Sequence, residues 1–412
     1  MKKILFLTRS YPDTRKSASL LCTKRVIDCV AASGKYDVHV LCLRYKGELY
    51  NENVYGVKVH RFKPTLWLSY RQRVKAANNI RMDRILEVVQ KTLTIPTFPQ
   101  TEALTTRLFY KAAKKLHRSE GFSAVISEHH GLESLLTGCR LMHDFGIKHV
   151  AIFWDPLKGQ IATSHLPISY TDNRLSRLEK FVANNTTLQI STVSMKNFHQ
   201  QVGDVAKDHR VYLDIPSVLK PEPEVPTKHL ELLRDDCINV VFSGLLSTKY
   251  RDPIPIIQLF NKCERADKLN LVFFSMGAND ALQEVSKTFN GNIVCHDYIP
   301  LDELHSIYRH ADYLLNVSHV NANMVPSKIF EYMSFGKPII STFITDGDAA
   351  QKYVTRYPEG LCVDLKNDDA TNVESINVFL KKRHKDVSFD IVSDLFKDNT
   401  PEKYLATIDI II

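Results

Sequence analysis

The sequence predicts an α/β fold with two doubly wound, Rossmann-like domains. Short apolar runs, typical of buried parallel strands, alternate with helical patterns over the first half of the chain. A proline-rich stretch then interrupts this rhythm, and a second strand–helix series begins after it. With 412 residues, the chain is long enough for two or three domains that each bury a core.

These observations divide the chain into four segments. Residues 1–215 form an N-terminal Rossmann-like domain, and residues 237–385 form a C-terminal one. Residues 216–236 are interpreted as a linker, because prolines there are interspersed with Glu and Lys. Residues 386–412 are a C-terminal helical segment.

The first series begins with an apolar strand at residues 4–8 and a helix at residues 18–32, which Gly34 ends. Strands at residues 38–43 and 57–62 follow. No G-x-G-x-x-G follows the first strand, so the sequence does not predict a dinucleotide site there.

A helix at residues 102–120 and a strand at residues 124–127 come next. The strand delivers His129 and His130 to its carboxyl end, where open α/β sheets bind ligands. Each histidine is therefore a candidate site residue. The alternative is that each is structural and caps the next helix. The domain closes with a strand at residues 149–153, a helix at residues 173–184 and a strand at residues 188–193.

The second series has strands at residues 238–242, 269–275, 293–298, 312–317 and 339–340 and a helix at residues 300–309. A tight turn at Gly244 ends its first strand, and the cations Lys249 and Arg251 follow closely. These cations are either ligands for an anion or ordinary solvated charges of a loop.

Residues 324–340 carry the most specific pattern in the chain. Pro326 suits the first turn of a helix, and Gly336 marks its end. Lys328 and Glu331 lie three residues apart near the helix start and so share a face. A helix N-terminus beside Lys328 suits phosphate, and Glu331 can accept hydrogen bonds from sugar hydroxyls. The alternative is an ordinary amphipathic helix between two strands.

This stretch resembles the nucleotide-sugar-binding motif of GT-B glycosyltransferases, particularly glycosyltransferase family 4 (group 1) and relatives of the bacterial surface-polysaccharide type. The resemblance implies two Rossmann-like domains facing a central cleft, with a last helix that packs back toward the first domain. Glu331 matches the glutamate that holds the donor ribose. Asn323 stands where many members carry a second glutamate.

The resemblance also implies the rest of the site. Leu245 or Leu246 occupies the family's arginine position after the glycine loop, so Lys249 and Arg251 are its expected substitutes. His129, His130 and Lys328 are the catalytic candidates. The donor-binding candidates are Gly244, Lys249, Arg251, His296, Tyr298, Ile299, Asn323, Met324, Val325, Ser327, Lys328 and Glu331.

From this resemblance we expect glycosyl transfer from a nucleoside diphosphate sugar to a hydroxyl of a glycan or glycolipid acceptor. The family implies retention of configuration without a cofactor or metal, and Asp346-Gly347-Asp348 is better interpreted as a turn than as a metal site. Two alternatives stay open. One is a nucleotide-sugar epimerase of the same fold. The other is a degenerate binding protein, which Asn323 and the missing arginine favour.

A net charge of +8 indicates an anionic partner. Residues 63–91 interleave Lys and Arg with Trp and Leu, which suits peripheral contact with anionic lipid; the alternative is a charged helix that packs its apolar side on its own domain. Nucleic acid is not expected, because no recognised module is present. Without a signal-peptide pattern or membrane-spanning run, we expect a cytoplasmic protein, placed at the inner face of the cell membrane if the lipid contact holds.

Overall fold

The computed structural model describes residues 1–12, 17–77, 79–100, 102–157, 166–196, 199–200, 209–320, 325–344 and 347–412. Contacts divide the chain into two compact units. The first comprises Met1–Pro216 and Pro401–Ile412, and the second comprises Ser217–Thr400. Each unit contains one sheet, so the predicted α/β class is confirmed.

The first unit has an eight-stranded sheet of order β3-β4-β2-β1-β5-β6-β7-β8, in which only the β3–β4 pair is antiparallel. Its strands are β1 Lys2–Leu7, β2 Tyr36–Leu43, β3 Asn51–Val54, β4 Val57–Phe62, β5 Ala124–Glu128, β6 Lys148–Phe153, β7 Leu188–Thr192 and β8 Arg210–Leu213. Along β1, Ile4 and Phe6 join one core cluster, whereas Leu5 and Leu7 join another. Both faces of β1 are therefore buried, as its continuous apolar run predicts.

Helices cover this sheet. They are α1 Ala18–Ala32, α2 Leu66–Ala76, α3 Ile80–Leu93, α4 Ala103–Glu120, α5 Leu132–Phe145 and α6 Ile168–Asn184. Gly121 ends α4 in the left-handed conformation, with φ of 71°, which confirms the predicted stop. None of the described helices is long and apolar enough to cross a bilayer.

The second unit has a six-stranded sheet of order β11-β10-β9-β12-β13-β14, and every pair is parallel. Its strands are β9 Ile238–Leu245, β10 Leu269–Met276, β11 Asn292–His296, β12 Tyr313–Asn316, β13 Ile339–Phe343 and β14 Gly360–Asp364. The chain builds the sheet outward from β9 in one direction and then from β12 in the other. This reversal is the topological switch point of a doubly wound sheet.

The helices of the second unit are α7 Ile254–Asn261, α8 Asn279–Ser286, α9 Leu301–His310, α10 Ser327–Ser334, α11 Gln351–Arg356, α12 Asp369–Lys381 and α13 Phe389–Leu395. The last helix, α14 Pro401–Ile411, belongs to the first unit. There the buried Tyr404 donates to the carbonyl of Asp214 at 2.9 Å, and its ring lies 5.5 Å from that of Trp154.

Several elements differ from the sequence-based expectation. Helix α6 begins at Ile168 rather than at residue 173, and residues 63–91 contain two helices. Strand β3 was not predicted because it is a short polar edge strand with exposed residues. The residues expected to form a linker pack on α9, where the Ser306 hydroxyl donates to the carbonyl of Val225 at 2.7 Å.

One close approach in the first unit depends on a glycine. The buried His149 places Nε2 2.7 Å from the Ser127 hydroxyl, and burial lowers the pKa of His149 to about 4. A Cβ built on Gly138 of α5 would lie only 2.1 Å from this Nε2. Helix α5 therefore reaches the sheet at Gly138 because this residue lacks a side chain.

Gly138→Ala tests this packing, because helix propensity and packing predict opposite signs. In an open helix the change would add about 0.5–1 kcal/mol of stability. Against the His149 ring it should instead lower the free energy of unfolding by about 1–3 kcal/mol, measured by urea denaturation. Adding His149→Ala should make the double variant lose less than the sum of the single changes. An alanine variant more stable than the wild type would contradict the packing.

Candidate functional site

The strand order of the second unit places a crevice between the carboxyl ends of β9 and β12. The two strands pair only at Tyr313 with Val240 and at Leu314 with Val241. Past these residues β9 continues without β12, so the backbone of Ser243 needs another partner on that side. Ligands of doubly wound sheets bind at such a point.

Tyr332 of α10 supplies that partner. Its phenol oxygen accepts from the Ser243 N–H at 3.0 Å and lies 3.4 Å from the Ser243 carbonyl, to which it donates. The Ser243 hydroxyl bonds to the phenol of Tyr308 from α9. Both tyrosines are fully buried, and their rings meet edge to face at 5.1 Å. Helices α9 and α10 are thus anchored to the end of β9.

The start of α10 carries the predicted pair of Lys328 and Glu331. Lys328 Nζ lies 2.7 Å from Glu331 Oε1 and donates to the Tyr308 phenol at 3.2 Å. His305 Nε2 approaches the same carboxylate oxygen at 3.4 Å. Glu331 is only 4% exposed. The predicted shared face is confirmed, and the carboxylate lies between two basic side chains.

Helix α10 also presents a free amino end. Pro326 precedes Ser327 and, having no polar side chain, makes no capping hydrogen bond to the first turn. The open N–H groups and the helix dipole favour an anion. At the other end, Gly336 adopts a left-handed φ of 73°, and a Cβ there would lie 2.2 Å from the Val387 carbonyl. The glycine therefore fixes where the helix ends.

Arg251 forms no close ion pair within the described chain, although the Asp348 carboxylate is near enough to act on its charge. A Cβ on Gly244, whose φ of 146° favours glycine, would lie 3.7 Å from Arg251 Nη1. Arg251 Nε is buried and has no hydrogen-bond partner in the described part of the chain. Burial lowers the pKa of this guanidinium, although Tyr332, Tyr298 and the Asp348 carboxylate act in the opposite direction. A partly buried guanidinium whose Nε has no hydrogen-bond partner gains from a bound anion, so this position favours one.

Lys249 is placed differently. It is exposed, and its Nζ lies 5.1 Å from the centre of the Tyr250 ring. The Tyr250 carbonyl accepts from Val320 N–H at 2.9 Å, which ties this loop to the segment after β12. Of the two predicted substitutes for the family arginine, Arg251 has the environment of an anion ligand.

The predicted nucleobase residues follow β11. The ring of His296 packs against His229 at 4.7 Å and Phe274 at 5.6 Å. Tyr298 is 48% exposed, and burial raises its pKa while Lys328 and Arg251 lower it. Tyr298 therefore lies within the electrostatic reach of both cations.

The remaining predicted donor residues give less information. Ile299 follows Tyr298 and is half-buried. Val325 and Ser327 flank Pro326 at the start of α10. Asn323 and Met324 lie outside the described residues.

The first unit has its own reversal of strand order, between β1 and β5. Glu128 ends β5 and is 1% exposed. Its Oε1 accepts from the Thr8 hydroxyl at 3.0 Å, and its Oε2 accepts from the His130 N–H at 2.7 Å. Burial raises the pKa of this carboxyl to about 7. A proton-binding group therefore lies at this strand end.

The two predicted histidines differ in their surroundings. His129 is buried, its Nδ1 accepts from the Trp154 N–H at 3.0 Å, and its ring stacks on Phe153. His130 is half-buried, and its Nδ1 lies 3.1 Å from the Ser17 hydroxyl at the start of α1. Burial, helped by Arg9, lowers the pKa of His130 to about 4, so the ring is neutral at pH 7. Within the described chain, the hydrogen bonds of the His130 ring are made by Nδ1 alone, so Nε2 is available and His130 is the better candidate of the two histidines.

Arg9 forms a cluster that sequence reasoning missed. Its guanidinium pairs with Glu102 at 2.9 Å and with Glu133 at 3.5 Å. Glu133 is the main cause of the raised pKa of Arg9. The signal in the sequence was an arginine directly after the first strand, but its partners come from distant segments. Here the cation is fully compensated by carboxylates.

Together these residues can bind a diphosphate and sugar hydroxyls in the second unit. Arg251, Lys328 and the start of α10 offer positive charge, and Glu331 offers a hydrogen-bond acceptor. Among the described residues, no group of three or more His, Cys, Asp and Glu side chains is placed to hold a metal ion.

Comparison with known proteins identifies this unit. Residues 238–381 match the family model described as glycosyl transferases group 1. This segment is a group 1 glycosyltransferase domain. It includes Gly244, Arg251, Lys328 and Glu331. No curated protein matches the chain in sequence.

Solved structures extend the likeness to the whole chain. The α,α-trehalose-phosphate synthase (UDP-forming) of Burkholderia vietnamiensis has a TM-score of 0.65 at 10% identity, covering 99% of this chain and 98% of that one. Sucrose-phosphate synthase of Thermosynechococcus elongatus has a TM-score of 0.63 at 14% identity, covering 98% and 94%. Anabaena HepE in complex with UDP-glucose has a TM-score of 0.61 at 13% identity, covering 99% and 100%.

The expected GT-B fold and glycosyltransferase class are therefore confirmed. The surface-polysaccharide type stays a prediction, as do the individual site residues. The group 1 domain also accounts for the most specific sequence pattern, since the Pro326–Gly336 motif lies inside the matched segment.

Glu128→Gln should make the stability of this glycosyltransferase less dependent on pH. The pKa of Glu128 is raised from 4.5 to about 7, so the folded state binds more protons than the unfolded chain between these values. Wild-type stability is therefore lost as pH rises through this window, by about 3 kcal/mol from this group. The advantage of Glu128→Gln over the wild type should grow by that amount between about pH 4.5 and pH 8 in urea denaturation.

Glu402→Gln is the control, because Glu402 is exposed in α14 of the same unit. Its difference from the wild type should change much less over the same pH range. A constant difference between Glu128→Gln and the wild type would show that Glu128 keeps an ordinary pKa in the folded protein.

Proposed function

We propose that this GT-B glycosyltransferase moves a sugar from a nucleoside diphosphate sugar to an acceptor hydroxyl. The observation that carries the proposal is the pair of Lys328 with the buried Glu331 at the start of α10, together with Arg251, which acts on the same Tyr298 as Lys328. A departing nucleoside diphosphate gains negative charge in the transition state, and fixed positive groups stabilise that charge. HepE, a structural relative, was solved with UDP-glucose, which supports a donor of this class.

Each donor-site residue has a proposed role. Arg251 and the first N–H groups of α10 hold the diphosphate, and Glu331 accepts hydrogen bonds from the ribose. Lys328 changes partner. Without a diphosphate it neutralises Glu331 at 2.7 Å, and a diphosphate draws it away, so that Lys328 no longer competes with the ribose for this carboxylate. Donor binding therefore exchanges one ion pair for another.

The first unit supplies the acceptor side in this proposal. A neutral His130 can use Nε2 to exchange a hydrogen bond with an acceptor hydroxyl, while its Nδ1 is held by Ser17 and Ser19. His129 keeps β5 and β6 together through its bond to Trp154. The compensated charge of Arg9 favours a polar but uncharged acceptor group at this strand end.

We further propose a lipid-linked or polysaccharide intermediate as acceptor, transferred with retention of configuration at the inner face of the cell membrane. The net charge of +8 supports an anionic surface as partner. Arg251 and Lys328 take the charge-stabilising role, so the proposed reaction uses neither a cofactor nor a metal.

Lys328→Met tests the exchange of partners. Because Lys328 contributes charge to the diphosphate, calorimetric titration should show UDP, GDP or ADP, whichever the wild type prefers, bound about 10- to 100-fold more weakly. The matching nucleoside, which lacks phosphate, should bind at least as tightly as to the wild type, because Lys328 no longer competes with the ribose for Glu331. Glu331→Ala should weaken both ligands.

Lys287→Met is the matched control. Lys287 forms a pair with Glu284 at 2.6 Å three residues away on α8, but both side chains are exposed. Its removal should leave both affinities unchanged. Equal weakening of nucleoside and nucleotide by Lys328→Met would rule out the exchange, and nucleotide binding indifferent to Glu331 would show that this motif is not the donor site.

The two alternative functions give different outcomes in the same preparation. An epimerase of this fold would consume a free nucleotide sugar without any acceptor, which the proposed transferase does only slowly through hydrolysis. The carboxylates of Glu102 and Glu133 beside Arg9 favour the epimerase alternative. A degenerate binding protein would show no nucleotide-sugar turnover with any acceptor, and the missing arginine at Leu245 or Leu246 favours it.

A further inference from the structure

Helices α2 and α3 form a hairpin, residues 66–93, whose exposed apolar surface has no explanation in the fold. Its large exposed side chains are Leu66, Trp67, Tyr70, Ile80, Ile85, Val88, Val89 and Leu93. Single exposed apolar residues are ordinary, but a group on one short segment marks an interaction surface.

The outward face of α3 concentrates these residues. Ile85, Val88, Val89 and Leu93 follow the spacing of one helix face and are 50%, 62%, 39% and 72% exposed. The inward face contributes little to the core, since Leu86 is its one buried large apolar residue among the described positions of α3. The helix therefore presents its apolar row to solvent.

Polar residues of α3 point toward α2 instead. Asp83 lies 3.3 Å from Arg71 of α2 and 3.9 Å from Lys75, and Gln90 bonds to the same Arg71. An ordinary amphipathic helix would have the opposite arrangement. The sequence-based alternative, a charged helix that packs its apolar side on its own domain, is wrong for α3.

The charge left on the outside is positive. Both carboxylates of α3 are used within the hairpin, Asp83 by α2 and Glu87 by Lys91 at 2.5 Å. Arg73, Arg81 and Arg84 are exposed and have no ion-pair partner in the part of the chain that the structure describes. Arg81 and Arg84 flank the apolar row of α3.

From this geometry we infer that the α2–α3 hairpin binds the surface of an anionic lipid bilayer. The apolar row of α3 enters the boundary between headgroups and acyl chains, and the flanking arginines meet the lipid phosphates. Charge complementarity selects this occupant, because an apolar row bordered by unpaired arginines matches an apolar layer under an anionic surface. The inference deepens the proposed function. It rests on that function only for the reason to bind a membrane, which is to bring the enzyme to a lipid-linked acceptor.

Vesicle sedimentation tests the inference with the full-length chain. The wild type should bind vesicles of phosphatidylcholine with phosphatidylglycerol, bind pure phosphatidylcholine much more weakly, and release as salt is raised. Ile85→Ser with Val88→Ser should weaken binding to the mixed vesicles by about tenfold or more. Arg81→Gln with Arg84→Gln should have a similar effect and reduce the dependence on salt.

Matched controls come from exposed positions elsewhere in the first unit. Leu104 and Ile168 are 60% and 77% exposed, so Leu104→Ser with Ile168→Ser removes similar apolar surface. Arg107→Gln with Lys111→Gln removes two exposed charges one turn apart on α4. Neither control should change vesicle binding by more than about twofold. If the control variants lose as much vesicle binding as the hairpin variants, the protein binds vesicles through its overall charge or apolar surface, and the inference is overturned.

Trp67 gives a direct readout that folding defects do not mimic. The chain has two tryptophans, and Trp154 is buried whereas Trp67 is 37% exposed on α2. Subtracting the fluorescence of Trp67→Phe from that of the wild type isolates the emission of Trp67. This emission should shift to shorter wavelength when mixed vesicles are added. No shift despite sedimentation would place the contact elsewhere on the protein.

The outcomes separate this inference from the proposed function. Calorimetric nucleotide binding that survives in the hairpin variants, with vesicle binding lost, supports both. A wild type that binds nucleotide but no anionic vesicle overturns the lipid inference alone. If the hairpin variants instead convert a dimer to a monomer without vesicles present, in light scattering, the apolar row covers a second copy of the chain and the lipid inference fails.

Discussion

The contact between Tyr332 and the backbone of Ser243 is the constraint on which the donor site depends. Strand β12 stops pairing with β9 before Ser243, so the sheet opens there and one phenol replaces the missing strand. Leaving that buried N–H unpaired would cost about 1–3 kcal/mol. The same helix carries Lys328, Glu331 and the open N-terminus, so anchoring Tyr332 places every one of them at the mouth of the crevice.

The two strand-end clusters differ in electrostatic balance. In the first unit Arg9 is enclosed by Glu102 and Glu133, and its charge is already neutralised. In the second unit Arg251 is half-buried and forms no close ion pair within the described residues, although Asp348 acts on its charge, and Lys328 pairs with Glu331. An anionic ligand therefore gains more from the second unit, whereas a neutral hydroxyl is better suited to the first. In the proposed reaction, this difference matches a diphosphate donor in the second unit and a hydroxyl acceptor in the first.

The sequence predicted the features that depend on local pattern. The apolar runs gave most of the strands, and the spacing of Pro326, Lys328, Glu331 and Gly336 gave α10 with its charged pair. Short polar edge strands such as β3 escaped, because they bury too little apolar surface to show a periodicity.

Features that depend on tertiary contact were not predicted. Tyr332 reads as one more apolar helix residue until Ser243 is seen beside it. The cluster around Arg9 joins three distant segments of the chain. Composition singled out residues 63–91 as basic and apolar, but a sequence pattern cannot state which side of a helix faces the core. In each case the missing information was a spatial neighbour rather than a residue type.

The central claim is that a nucleoside diphosphate binds in the second unit where β9 and β12 separate. Hydrogen–deuterium exchange with and without the preferred nucleotide tests it most directly, because backbone amides report the place of binding. Slower exchange should be confined to residues 243–253 and to the first turn of α10 from Ser327, with β14 and the strand end at Glu128 unchanged. Protection centred on the first unit, or saturating nucleotide without protection at α10, would contradict the account.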